Sequence, residues 1–212
     1  MPMTRFGRSF LLIALAALAT TAPAAPIPDG VSAPVLYFPT KVGTKWVYQQ
    51  NGDNLAEVVS RAEAKRGATV LTVQVLSATG EPSYAREVSV SADGVFFLGI
   101  TDADAPLTRP MCLLYPKARA GVSWHVRVDG ADGTPVVLMT RTARGDDTVD
   151  VPAGRFRVVK VETAVPPPAG GVPEVTMAYY AADIGLVKEE TRSDAGTWTT
   201  TRALKSFTPG KG

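Results

Sequence analysis

Glycine-bearing turn signals recur along this chain roughly every ten residues, the spacing of an all-β domain. They include Asn51-Gly52-Asp53, Lys65-Arg66-Gly67, Ala92-Asp93-Gly94, Ala131-Asp132-Gly133 and Asp194-Ala195-Gly196. Glycine accepts positive φ without a Cβ clash, and Asp or Asn can bond its own backbone, so each triplet suits a tight reversal. Links this short make consecutive strands pair as antiparallel hairpins. The spacing therefore predicts a single all-β domain, an antiparallel meander of about ten strands curled into a half-barrel or open barrel.

The intervening stretches support strands. Candidates are Lys45–Gln50, Leu55–Ala64, Ala68–Ser77, Ser83–Ser91, Val95–Thr101, Val122–Asp129, Pro135–Ala143, Arg155–Val165, Glu174–Ala182, Leu186–Arg192 and Thr197–Phe207. In Val122–Asp129, Val122, Trp124, Val126 and Val128 share one face while Ser123, His125, Arg127 and Asp129 share the other. Trp46 and Trp124 are expected in the core, because their same-face neighbours are apolar or aromatic. Val95–Ile100 and Phe156–Val161 are apolar on both faces, which predicts cover on both sides near the centre of the sheet. Leu55–Gly67 is ambiguous: Ala and Glu favour helix, whereas Val58-Val59 favours strand.

The first residues have a different logic. Arg5 and Arg8 precede the uncharged run Phe10 to Leu18, and Ala22-Pro23-Ala24 supplies a small-residue cleavage motif. This predicts a secretory signal peptide over 1–24, an exported chain released in soluble form, periplasmic or extracellular, and no lipid anchor, since no cysteine lies near the cut. The apolar run is shorter than the roughly 20 residues of a membrane span. Residues 25–36 read as a flexible arm, 37–208 as the β domain and 209–212 as a disordered tail. Residues 102–121 and 166–173 are proline-rich interruptions, and Pro removes a ladder donor.

Charge and residue counts exclude several functions. Twenty-two basic residues face 20 acidic ones, and two of the arginines lie in the expected signal, so the domain is close to neutral. That disfavours nucleic acid as a partner. One cysteine, Cys112, and one histidine, His125, cannot form a multi-His or multi-Cys metal site, and no cofactor motif is present. Cys112 reads as a buried, inert thiol. His125 lies on a polar strand face with no nucleophile elbow in the sequence, and reads as solvated or locally bonded. Asp146, Asp147 and Asp150 flank a glycine and a Pro-Ala-Gly turn and read as solvated acids; a carboxylate hydrolase built on them is the weakest alternative. Glu189 and Glu190 are adjacent on a strand and point to opposite faces.

Aromatic side chains supply the binding hypothesis. Phe96-Phe97 and Tyr179-Tyr180 each put one ring on either face of a sheet. A sheet packed on one side would leave half of these rings in water unless a loop or ligand covers them. The expected site is an apolar pocket or groove lined among Phe96, Leu98, Tyr115, Tyr179 and Tyr180, flanked by the two proline-rich loops. The expected occupant is an apolar or amphipathic small molecule, a lipid or a protein segment. An envelope assembly protein pairing through an exposed strand edge is the alternative.

Three phrases carry a resemblance. Tyr37-Phe38-Pro39 with Lys41 to Tyr48 (KVGTKWVY), Val151 to Phe156 (VPAGRF), and Tyr179-Tyr180-Ala181 with Gly185 to Lys188 (GLVK) resemble, in the same order, a group of exported bacterial proteins of unknown function. The resemblance implies export and, by distant fold analogy, a curved half-closed sheet like that of lipoprotein carriers. Many members have cysteine where this chain has Val158, so no shared redox role is implied. Each phrase also reads as a turn or strand-entry device, and none supplies a nucleophile, an acid or a ligand.

Overall fold

The computed structural model describes residues 35–77, 79–101, 107, 109–129, 135–167 and 171–211. The expected signal peptide and nearly all of the arm lie outside the described residues. Twelve strands form one antiparallel sheet: β1 (Lys45–Gln50), β2 (Asp53–Lys65), β3 (Ala68–Leu76), β4 (Pro82–Val90), β5 (Val95–Ile100), β6 (Met111–Leu114), β7 (Ser123–Asp129), β8 (Pro135–Val151), β9 (Gly154–Val165), β10 (Glu174–Ala181), β11 (Gly185–Arg192) and β12 (Trp198–Thr208). No helix occurs among the described residues, and none is long and apolar enough to cross a membrane.

The sheet order is β6-β5-β4-β3-β2-β1-β12-β11-β10-β9-β8-β7. Two six-strand meanders thus join where β1 pairs with β12, in the middle of the sheet. The chain midpoint falls on the two outermost strands. A flat sheet of this order would hold β6 and β7 about 50 Å apart, at about 4.8 Å per strand. Only eight residues connect them, from Tyr115 to Val122, and these reach about 30 Å at most. The sheet must curl, and it forms a nearly closed barrel. β-Bulges add local twist: Val187 is the extra residue between β11 and β10, and Leu98 the extra residue between β5 and β4.

The core lies inside this barrel. Trp46, Leu71, Val73, Val88, Val95, Val187 and Leu204 are buried, as the alternation in their strands requires. Trp124 is only half-buried and packs at the core's margin.

The structure corrects several sequence expectations. The strand count rises to twelve because Met111–Leu114, inside the proline-rich interruption, forms β6. Four residues between Pro110 and Tyr115-Pro116 are too few to show a period. β8 runs on to Val151, so Asp146, Asp147 and Asp150 lie on a strand and not beside a loop. Their charges face Arg157, Lys160 and Arg155 across the β8–β9 ladder, which lets acids occupy an exposed strand face. Leu55–Gly67 resolves as the strand β2, because its valines enter the ladders with β1 and β3. β5 is second from an edge and not central, and its Phe96 ring meets Tyr115 from the link between β6 and β7.

The three phrases of the resemblance meet at one end of the barrel. Trp46 Nε1–H donates to the Ile184 carbonyl at 2.6 Å, and Asp183 N–H donates to Leu36 O at 2.7 Å. Ala153 N–H donates to Leu204 O at 3.0 Å, and Phe38 stacks on Trp46 with ring centroids 5.2 Å apart. Gly185 takes φ 95° against the Phe38 ring, a conformation in which a Cβ would be strained. The same end holds the chain terminus: Gly210 N–H donates to Thr44 Oγ1 at 3.1 Å, and a Cβ there would collide with the Val42 and Lys41 carbonyls.

Candidate functional site

The seam between β6 and β7 is where aromatic rings, a cavity and one buried unpaired donor, Arg141 Nε–H, lie close together. No ladder closes it. Side chains of the β7–β8 hairpin instead reach the β6 backbone: Trp124 Nε1–H donates to Cys112 O at 3.3 Å, and Arg141 Nη1–H donates to Leu113 O at 3.1 Å. Trp124 and Arg141 are cross-strand partners, so the two donors stand side by side.

Three rings cover the seam. Phe96 meets Tyr115 edge-on with centroids 6.1 Å apart, and Tyr115 meets Trp124 edge-on at 5.1 Å. Beside them is a cavity of about 220 Å³, lined by Phe96, Pro110, Cys112, Tyr115, Trp124 and Val126, with Arg109, His125 and Arg127 at its polar side. His125 is exposed, with Nδ1 3.2 Å from Thr140 Oγ1. Arg127 pairs with Asp129. Burial pushes the Cys112 thiol up to about 11, so it stays protonated and unreactive at neutral pH.

Of the residues named from sequence, Phe96 and Tyr115 come together at this seam. Leu98 is the bulged residue of β5. Tyr180 points into the barrel, while Tyr179 faces the other side, where its hydroxyl donates to Glu190 Oε2 at 2.5 Å beneath Lys188. Burial and the neighbouring Glu190 carboxylate hold the Tyr179 hydroxyl well above its ordinary range. For Glu190 burial acts upward, but hydrogen bonds from Lys188 and Tyr179 and the charge of Lys188 leave its carboxyl below the ordinary value. A second hollow, about 500 Å³, lies at the phrase-bearing end, beside Phe38, Thr44, Ile184 and Phe207.

Sequence reasoning missed a polar cluster inside the barrel. Glu57 is buried, and its two carboxylate oxygens take Arg86 at 2.5 Å and Arg202 at 3.3 Å. Arg202 Nε–H also donates to Gln50 Oε1 at 2.9 Å, and its guanidinium lies 5.2 Å from the Tyr48 ring centre. Tyr48 donates its hydroxyl to Leu186 O at 3.0 Å. The available signal was a charge at an inward position of an otherwise apolar alternation. Glu57 falls in step with Val59, Arg86 with Val88, Arg141 with Ala143, and Arg202 with Leu204. No group of three or more metal-ligating side chains converges among the described residues.

No family model matches the chain, and no curated protein matches it significantly. Two solved structures are similar in fold. One is a protein inferred to be a lipoprotein, from Parabacteroides distasonis, at 13% identity and TM-score 0.53. The other is a protein inferred to be exported, with a YmcC-like fold, from Bacteroides fragilis, at 16% identity and TM-score 0.55. Each alignment covers 82% of this chain and 99% of the other. At such identities the likeness establishes the shared barrel fold alone.

Proposed function

We propose that this is an exported, non-enzymatic binding protein that takes an apolar or amphipathic small molecule at the β6–β7 seam. The carrying observation is the Phe96–Tyr115–Trp124 cluster around a cavity, at the one place where the barrel is closed by side chains and not by a ladder. A seam held by a few side-chain bonds opens at lower cost than a ladder of backbone bonds, so a ligand can enter without unfolding the sheet. Aromatic walls with a few polar groups at one side are the usual composition of small-molecule sites. Export is supported by the charged, apolar and small-residue pattern of 1–24, and by fold neighbours inferred to be a lipoprotein and an exported protein. N-terminal sequencing of secreted material should begin at Ala25; recovery of Met1 from the cytoplasm would refute export.

The binding test is a titration with N-phenylnaphthylamine, a neutral dye that brightens in apolar surroundings. Saturable binding by the wild type, weakened in a Phe96→Ser, Tyr115→Ser variant that retains its β spectrum, is the expected result. If the folded wild type shows no saturation, these rings are ordinary packing and the carrier reading should be abandoned.

A further inference from the structure

We propose that the ligand of this seam is anionic, a medium-chain amphiphile with a carboxylate or phosphate head, and that Arg141 is its anchor. The inference rests on the seam-binding reading and adds the chemistry of the head group.

Arg141 is 9% exposed, and a guanidinium cannot shed its proton in a protein. Its only bonds among the described residues are to the Leu113 carbonyl and, at 3.9 Å, to the Met139 thioether. Among the described residues no carboxylate pairs with it, and its Nε–H is buried with no acceptor. The surroundings do not make up the charge. Arg141, Arg86, Arg202 and Glu189 all act electrostatically on Tyr180, and Glu57 acts with Arg86 and Arg202 on Tyr48. Glu57 is already shared between Arg86 and Arg202, and Glu189 makes no ion pair among the described residues.

The unmet groups are all donors. Besides Arg141 Nε–H there is Arg86 Nε–H, also buried and without an acceptor among the described residues; the Tyr180 hydroxyl, close enough to feel the Arg141 charge, is a further group able to donate to an oxyanion. A buried donor left unmet forfeits its bond to water without replacement. Arginine has no acceptor atoms, so the complement must bring acceptor oxygens and negative charge. A carboxylate or phosphate does both, and a neutral hydroxyl does neither fully. The position fits an amphiphile. Arg141 stands across from Trp124 and bonds the carbonyl next to the one Trp124 bonds, so the cation sits beside the aromatic mouth. Arg109 at the cavity's polar side biases approach toward anions, while Arg127 there is paired with Asp129.

The test compares octanoate, octyl phosphate and octanol by calorimetry on the purified protein, with Arg141→Met and Tyr180→Phe variants checked for wild-type circular dichroism. One of the two anions should bind about tenfold or more tightly than octanol, as expected for a charge-assisted hydrogen bond. Arg141→Met should erase that preference, lowering anion affinity at least tenfold more than octanol affinity, and Tyr180→Phe should reduce it. The tighter of the two anions names the head group. Equal binding of all three ligands, with no effect of Arg141→Met, would overturn the inference and leave Arg141 as a seam clasp; seam binding of neutral ligands would stand. Anion binding lost in Arg141→Met, with neither the dye nor octanol bound, would sink the apolar-seam reading and keep the anion site. If Arg141→Met does not fold, an unchanged anion preference in Tyr180→Phe overturns the inference.

Discussion

Trp46 ties distant parts of the barrel together. It is 1% exposed, packs between Phe38 and Phe207, and spends its indole N–H on a carbonyl 138 residues away. Trp46→Ala should cost about 3–5 kcal/mol in denaturant unfolding, the range for a fully buried large side chain. Trp124→Ala should cost less, because the ring is half-buried at the seam. Glu57 is the second sensitive position. Its removal leaves two partly buried guanidiniums without their carboxylate, so Glu57→Ala should destabilise by about 3–5 kcal/mol. Three buried groups also set an alkaline limit. Burial holds the Cys112 thiol at about 11, against an ordinary value of 9.0, and raises the Tyr48 and Tyr180 hydroxyls in the same sense. Between those values the unfolded thiol has lost its proton while the folded one keeps it. Stability should therefore be intact below pH 9 and fall as pH rises toward about 11, with the tyrosines extending the loss at higher pH. Melting temperature followed from pH 8 upward checks this, and a Cys112→Ala variant should show a shallower slope.

At the scale of elements, the twelve strands are not equally secure. β3 lies between two long ladders and carries Leu71 and Val73 with no exposed surface. β6 is four residues long, pairs with β5 on one side, and meets β7 through side-chain donors. Amide hydrogen exchange should rank β6 among the fastest strands and β3 among the slowest. Trp124→Phe, which keeps the ring but removes the donor to Cys112 O, should speed exchange in β6 and leave β3 unchanged. Equal protection of β6 and β3 would show that the seam opens only with the whole barrel, and would remove the proposed entry route.

At the scale of the molecule, the pairing of β1 with β12 joins the two meanders. β12 is the last strand in the chain and yet sits at the centre of the sheet, bonded to both β1 and β11. Truncation before Trp198 should therefore abolish folding outright, read as loss of the β signal in circular dichroism, whereas loss of an edge strand would be tolerated better. This contact joins residues about 150 positions apart, as in the hydrogen bond from Arg202 to Gln50. Loop closure over that distance should make folding slow compared with helical proteins of equal length.

Composition and turn spacing were enough to determine the class of fold, most strand positions and the antiparallel pairing of neighbours, because these depend on local geometry: period two along a strand, and glycine where φ turns positive. They also marked Phe96-Phe97 and Tyr179-Tyr180 as rings in need of cover, and the three phrases as turn devices. What lay beyond them is non-local. No short-range pattern states that β1 pairs with β12, that β6 and β7 meet, or that Tyr180 turns inward while Tyr179 does not, since each follows from register and curl over the whole sheet. The inward charges show why. Glu57, Arg86, Arg141 and Arg202 stand far apart in sequence, and each alone looks like a polar residue on a strand. Only the closing of the barrel, forced by an eight-residue link between its outermost strands, brings them into one interior and leaves Arg141 Nε–H there without an acceptor among the described residues.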